Sequence, residues 1–349
     1  SARDAGAPAG EFSAARAFQQ VEAIATGPHV AGSAANDRVR AYLIGALRGY
    51  GLTPEVQDNV SVQGAALSSS AGGVGLARAR NVIAQIPGTA STGRVFLVAH
   101  YDSVQTGPGA NDDGAGTSAI LEAVRALTTG PRLRNDIVVV LTDAEEACLC
   151  GAQAFVRQHP LARDGGVVLN LEARGSGGPV ITFETSPDDA GLIGVLAGAP
   201  KPVGTSFAVE VYRVLPNDTD FTPFRNAGFR GLNAAYIDGA MNYHAPTDTP
   251  AAMARDSLQQ HGDNVLALAR SFGGRDLGAL ESRSDATYFP MPGFLAHYPS
   301  YLVWPIAIAA LLAVFWLGAA ARRLGLVTRR RIAGGFVLAV VPIVLLSSV

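Results

Sequence analysis

His100, Asp102 and Ser103 follow the apolar run RVFLVAH as HYDS, and a histidine at the end of such a strand can bind a metal ion. Asp102 can accept from its other ring N–H and hold the tautomer; taken alone, the pair fits a surface loop equally well. GPGANDDGAG comes next, with Asp112 at the mouth of a helix, where it can cap that helix, bridge two cations, or do both. DIVVVLT then runs into DAEEACLCG. On a non-helical segment its adjacent Glu145 and Glu146 point to different sides, so one can hold metal while the other faces substrate and moves protons. VVLNLEARG places Glu172 inside an apolar run, where a carboxylate needs a cation or a charged hydrogen bond. Arg174 could partner it, but metal ligation is favoured because this is the third successive strand to end in a polar residue. MNYHAPTDTP supplies His244, a nitrogen ligand, and Tyr243, whose phenol can donate to an oxyanion. The set suits metal-assisted hydrolysis, in which a metal lowers the pKa of water toward about 7. His29, His159, His261 and His297 stand apart from acids and read as structural or solvated.

The scaffold for these residues reads as α/β. Apolar runs at 94–100, 136–142 and 167–173 alternate with helical patterns at 112–127 and after Cys150. Such alternation predicts a mostly parallel central sheet with helices on both faces, and ligands gather at the carboxyl ends of its strands. Residues 13–50 read as two helices around a Gly-Pro break, RNVIAQIPG as a strand and turn, and 251–272 as a closing helix. PVITFET, SFAVEVYRV and GLNAAYI all read as strands. The expected domains are a catalytic unit over 1–272, a linker over 273–300, a transmembrane helix at 301–320, a basic loop at 321–331 and a second transmembrane helix at 332–349.

The chain has 349 residues, 48% of them apolar, a net charge of −2 and 16% charged residues. No basic stripe exists for nucleic acid, so none is expected as a partner. A mean hydropathy of +0.21 has its excess at the C-terminus, where residues 301–320 carry no charge over a bilayer's width. Arg322, Arg323, Arg329, Arg330 and Arg331 follow, and the positive-inside rule keeps such a loop in the cytoplasm. The catalytic unit is therefore expected on the extracytoplasmic side of a membrane. Residues 332–349 end without a polar tail and Ser1 stands where an initiator Met would, so a longer multi-span parent is expected. Cys148 and Cys150, the only cysteines, are spaced too closely for an easy disulfide and are expected to pack beside the site. Nothing in the sequence bears on oligomeric state.

HYDS, GANDDGAG, AEE, the strand-terminal acid and YHAPTDT together resemble the di-zinc aminopeptidase family that includes bacterial secreted leucyl aminopeptidases, over roughly residues 14–272. NLEARGSGGPVITFETSP and LPNDTDFTPF are similar to its membrane-bound branch, the vacuolar membrane protease and endoplasmic reticulum metallopeptidase. The resemblance implies two zinc ions, one on His100 and Glu172, the other on Glu146 and His244, with Asp112 bridging. It also implies Glu145 as general base acting on a metal-bridging hydroxide, Asp102 orienting His100, Tyr243 at the scissile carbonyl, and Asp220 behind the ligands. Peptides would be the substrates, cut at the N-terminal residue. Secreted members commonly have Asp at the position of Glu172, and EACLCGA replaces their usual ELGLLGS. Two other readings share the features. A single-zinc glutaminyl-cyclase-like acyl transferase has a related fold, and a receptor-like ectodomain would have lost the ligands that are all present here.

Overall fold

The computed structural model describes residues 1–63, 75–328, 330–331 and 333–338. Its first unit, Ser1–Tyr298, contains α1 (Ala14–Ile24), α2 (Ala34–Gly49), β1 (Glu55–Gln63), β2 (Gly75–Ile86), β3 (Arg94–His100), α3 (Gly114–Thr128) and β4 (Asp136–Thr142). The chain continues through α4 (Glu145–Cys148), α5 (Cys150–Gln158), β5 (Val167–Ala173), β6 (Ile181–Thr185), α6 (Ala190–Leu196) and α7 (Ser206–Val214). It closes with α8 (Phe221–Asn226), β7 (Arg230–Tyr236), α9 (Arg255–Gly274) and a hairpin of β8 (Ala286–Met291) and β9 (Phe294–Pro299).

The main sheet has seven strands in the order β1-β2-β4-β3-β5-β7-β6. Its centre, β4-β3-β5-β7, is parallel as the apolar runs predict, while β2 on β4, β1 on β2 and β6 on β7 are antiparallel, so the sheet is mixed. Alternate side chains of β3 face opposite ways. Val95, Leu97 and Ala99 join a core with α1, α3 and α9, while Phe96 and Val98 pack with Phe155 of α5 and Phe221 and Phe224 of α8. Both faces of the centre are thus covered, which explains why its strands are apolar throughout. Each large apolar side chain buried in these strands contributes about 1.5–3 kcal/mol.

Two expectations need correction. SFAVEVYRV forms helix α7 rather than a strand: Thr205 caps it by accepting from the Phe207 N–H at 3.3 Å, and Val209 and Tyr212 bury one side at helical spacing. Its β-branched residues imitate strand alternation, and packing against β6 overrides that local preference. The stretch expected as a linker over 273–300 carries the last turn of α9 and the hairpin. Tyr288 and Leu295 of the hairpin are buried, and the Ala286 N–H donates to Asp189 Oδ1 at 2.7 Å.

In the second unit, Pro299–Val349, helix α10 (Val303–Arg323) has no buried residue. Residues Ser300–Arg323 are long and apolar enough to cross a membrane, and Arg322 and Arg323 close the last turn. The second span expected over 332–349 lies largely outside the described residues.

Candidate metal centre

The carboxyl ends of the parallel strands deliver the site. β3 ends in His100, whose Nδ1 lies 3.0 Å from the Asp102 carbonyl oxygen. The Asp102 carboxylate, 3.6 Å from that nitrogen, instead accepts backbone N–H groups from Glu145 at 3.0 Å and Glu146 at 3.3 Å. Asp102 therefore orients His100 through its backbone and holds the paired acids through its side chain. Thr117 donates from its hydroxyl to the His100 carbonyl at 2.8 Å and ties α3 to the same strand end.

Asp113 caps α3 by accepting from Gly116 N–H at 2.9 Å, which leaves Asp112 free to face the site. Asp112 Oδ1 lies 3.3 Å from His100 Nε2, and its Oδ2 lies 3.1 Å from His244 Nε2. Glu145 and Glu146 sit in the single turn α4, not on the non-helical segment expected, and left-handed residues Ala144 and Leu149 bracket that turn. Successive positions on a helix still diverge, so Glu145 Oε2 comes within 3.9 Å of His100 Nε2 and Glu146 Oε2 within 3.1 Å of His244 Nε2. Glu172 Oε2 is 3.8 Å from His100 Nε2, and Glu172 Oε1 accepts from Asn170 Nδ2 at 3.2 Å. His244 is itself left-handed at φ 54, and Tyr243 stacks on its ring at 3.8 Å between centroids. Asp220, fully buried, accepts from the Thr142 hydroxyl.

These residues form three groups whose ligand atoms lie within 4.8 Å of one another: His100, Asp112 and Glu172; Asp112, Glu146 and His244; and His100, Glu145 and Glu146. The first two share Asp112. Four acids and two imidazoles so close strain each other's titration. Burial, then the neighbouring Asp112, raises Glu146 to about 7, while burial, against the pull of His100, raises Glu172 to about 8. Burial raises Asp220 to about 6 and pushes Glu145 well above its usual range. The carboxylates outweigh burial at His244, which rises to about 9, and at His100, which rises well above its ordinary value. Asp112 Oδ2 and Glu146 Oε1 are buried and accept no well-aligned hydrogen bond among the described residues, Asp112 Oδ2 having only the His244 Nε2 contact at 3.1 Å. Orphaned oxygens and crowded acids fit a cation, and the mixture of imidazole and carboxylate donors fits zinc.

Residues outside the expected set support it. Asp248 accepts from the Asn111 N–H at 2.9 Å, Asn111 Nδ2 at 2.7 Å and the Asp112 N–H at 3.2 Å, and the Tyr236 hydroxyl donates to Asn111 Oδ1 at 2.6 Å. The Asp of YHAPTDT was the available signal for this clamp. Cys148 and Cys150 are disulfide-bonded, against the expectation from spacing: Leu149, left-handed, folds the chain so that their Cα atoms are 5.0 Å apart. A surface pocket reaches the site beside Asp102 and Glu146, walled by Val30, Ala31 and Val104.

Peptidase family M28 matches residues 81–269 of the chain. Human endoplasmic reticulum metallopeptidase 1 is 32% identical over 321 residues, covering 85% of this chain and 35% of that protein. A vacuolar membrane protease of Candida dubliniensis is 29% identical over 280 residues, covering 79% of this chain and 30% of its own length. The chain thus spans about a third of these relatives. Among solved structures, an aminopeptidase from Aneurinibacillus sp. strain AM-1 superposes with TM-score 0.61 at 15% identity, covering 76% of this chain and 96% of its own. A Porphyromonas gingivalis glutaminyl cyclase does so with TM-score 0.59 at 23% identity, covering 74% and 99%. These two likenesses are of fold.

Proposed function

The chain belongs to peptidase family M28, and on that premise we propose that it is a membrane-tethered, zinc-dependent aminopeptidase that uses two metal ions. The observation that carries this reading is Asp112 standing between two ligand groups, with one carboxylate oxygen toward His100 and the other toward His244. His100 and Glu172 would hold one ion, Glu146 and His244 the other, and Asp112 both. When bound, the metal supplies a Lewis acid for the scissile carbonyl and lowers the pKa of water.

The chain's own groups do the rest. Glu145 belongs to neither of the two groups that share Asp112, and its backbone is held by Asp102. Its carboxylate takes the proton of the attacking water and returns it to the leaving amine nitrogen. Tyr243 is held flat on His244, so its hydroxyl can donate to the oxyanion formed at the carbonyl. Asp102 and Asp248 keep the acids and the Asp112 loop in register. The orphaned Asp112 and Glu146 oxygens support metal binding over a site that has lost its chemistry.

The test is metal analysis of the purified chain joined to cleavage of an aminoacyl chromogenic panel. Glu145→Ala is expected to retain metal and lose about 10²–10⁴-fold in kcat. An equally active Glu145→Ala overturns its role as base. Cyclisation of N-terminal glutaminyl peptides with no cleavage would overturn the peptidase reading itself.

A further inference from the structure

Two residues beyond Glu172, the Arg174 N–H donates to the Tyr236 carbonyl at 3.0 Å, and the side chain is half-buried. Its guanidinium carbon lies 5.1 Å from the centre of the Tyr243 ring, and Nη2 donates to Asn217 Oδ1 at 3.2 Å. Arg16, Arg125 and Arg225 each meet a buried carboxylate, but Arg174 has none within 4.0 Å among the described residues. The Tyr243 ring meets both the Arg174 guanidinium and the His244 imidazole, and His244 faces Asp112 and Glu146. Most of the five N–H donors of Arg174 are left for another acceptor, in a planar fork that matches a carboxylate.

We propose that Arg174, steadied by Asn217, binds a substrate carboxylate within two residues of the scissile bond, so that this enzyme favours short peptides with an acidic group there. The proposal rests on the peptidase reading of the same site. The distance supports it: the Tyr243 ring centre lies 3.8 Å from that of His244 and 5.1 Å from the Arg174 guanidinium carbon, and an extended peptide advances about 3.3–3.6 Å per residue. A substrate carbonyl beside the Tyr243 hydroxyl therefore brings the next one or two residues within the fork's reach. The carboxylate is either the free C-terminus of a dipeptide or an acidic side chain.

Three substrates separate these sources: Leu-Gly, Leu-Gly-amide and Leu-Glu-amide, assayed on the full zinc-loaded chain in detergent. The wild type is expected to favour at least one carboxylate-bearing peptide over Leu-Gly-amide by about 10-fold or more in kcat/KM, as a charge-assisted pair allows. Arg174→Gln is expected to abolish that preference mainly through KM, and Arg174→Lys to keep part of it. Asn217→Ala, which spares the guanidinium, is expected to reduce it several-fold and serves if the arginine variants fold poorly. Calorimetry on the metal-free chain adds a readout independent of turnover, with Leu-Gly or Leu-Glu-amide binding more tightly than Leu-Gly-amide only when Arg174 is present. A wild type without preference, or an Arg174→Gln that slows all three substrates equally, overturns the proposal and leaves Arg174 as a prop for Tyr243. A wild type inert toward every peptide overturns the peptidase reading, and the calorimetry then decides the carboxylate site alone.

Discussion

Burial beside other acids pushes the Glu146 and Glu172 carboxyls up, to about 7 and about 8. The consequence has a definite sign. A carboxyl raised above its unfolded value favours the folded state below about pH 4.5, and that contribution is lost as pH rises through about 7–8. His244, raised to about 9, adds a term in the same direction, full below about 6.5 and lost toward 9. The metal-free chain should therefore melt at lower temperature at pH 8.5 than at pH 5.5, by a few degrees for each ~1 kcal/mol. Zinc needs the deprotonated ligands, so its binding should release protons, weaken on acidification from pH 8 to 6, and raise the melting temperature most at the alkaline end. Calorimetric zinc titrations in buffers of different ionisation enthalpy measure the protons, and a pH-independent affinity would sink the assignment of these acids as ligands.

At the scale of elements, the site depends on one helical turn held from both ends. Gly151, the second residue of α5, has no room for a side chain: a Cβ there would lie 2.3 Å from the Asp143 carbonyl oxygen and 2.5 Å from Asn81 Oδ1. Gly151→Ala should cost about 1–3 kcal/mol in denaturant unfolding and lower zinc affinity, because α5 must move away from β2 and carry α4 with it. Unchanged stability would show that α5 shifts freely. The Cys148–Cys150 bridge closes a loop of a few residues, so loop entropy gives it only about 1–2 kcal/mol. The double variant Cys148→Ser, Cys150→Ser should lose no more than that and keep its metal content. A collapse of zinc binding in that variant would mean that the bridge, rather than the hydrogen bonds from Asp102, holds the acids.

For the whole molecule, membrane attachment follows from α10 and agrees with relatives named for the endoplasmic reticulum and the vacuolar membrane. The side on which the catalytic unit lies is a separate expectation, resting on the arginines after that helix. Both cysteines of this chain are in a disulfide, so a cysteine introduced at exposed Ser91, in this chain expressed as given, is its single free thiol. An impermeant maleimide should label Ser91→Cys on intact cells or right-side-out vesicles. Labelling only after permeabilisation would put the catalytic unit in the cytoplasm.

Much of the centre was legible in the sequence because strand ends follow from the lengths of apolar runs. RVFLVAH ends at His100, VVLNLEA carries Glu172 one residue before its end, and DIVVVLT runs into Glu145 and Glu146 within four residues, and a parallel sheet brings such ends together. Motif order supplied His244 and Tyr243, which no local pattern marks. The tertiary structure alone decided the contacts made across long stretches of chain. Asp248 clamps Asn111 from 137 residues away, Asp102 turns its carboxylate to the Glu145 and Glu146 backbone, and α7 is helical because packing outweighs β-branched propensity. The physical reason is the same throughout. Periodicity is a property of neighbours in sequence, whereas the satisfaction of a buried polar group, or the setting of Arg174 against Asn217 and Tyr243, belongs to neighbours in space.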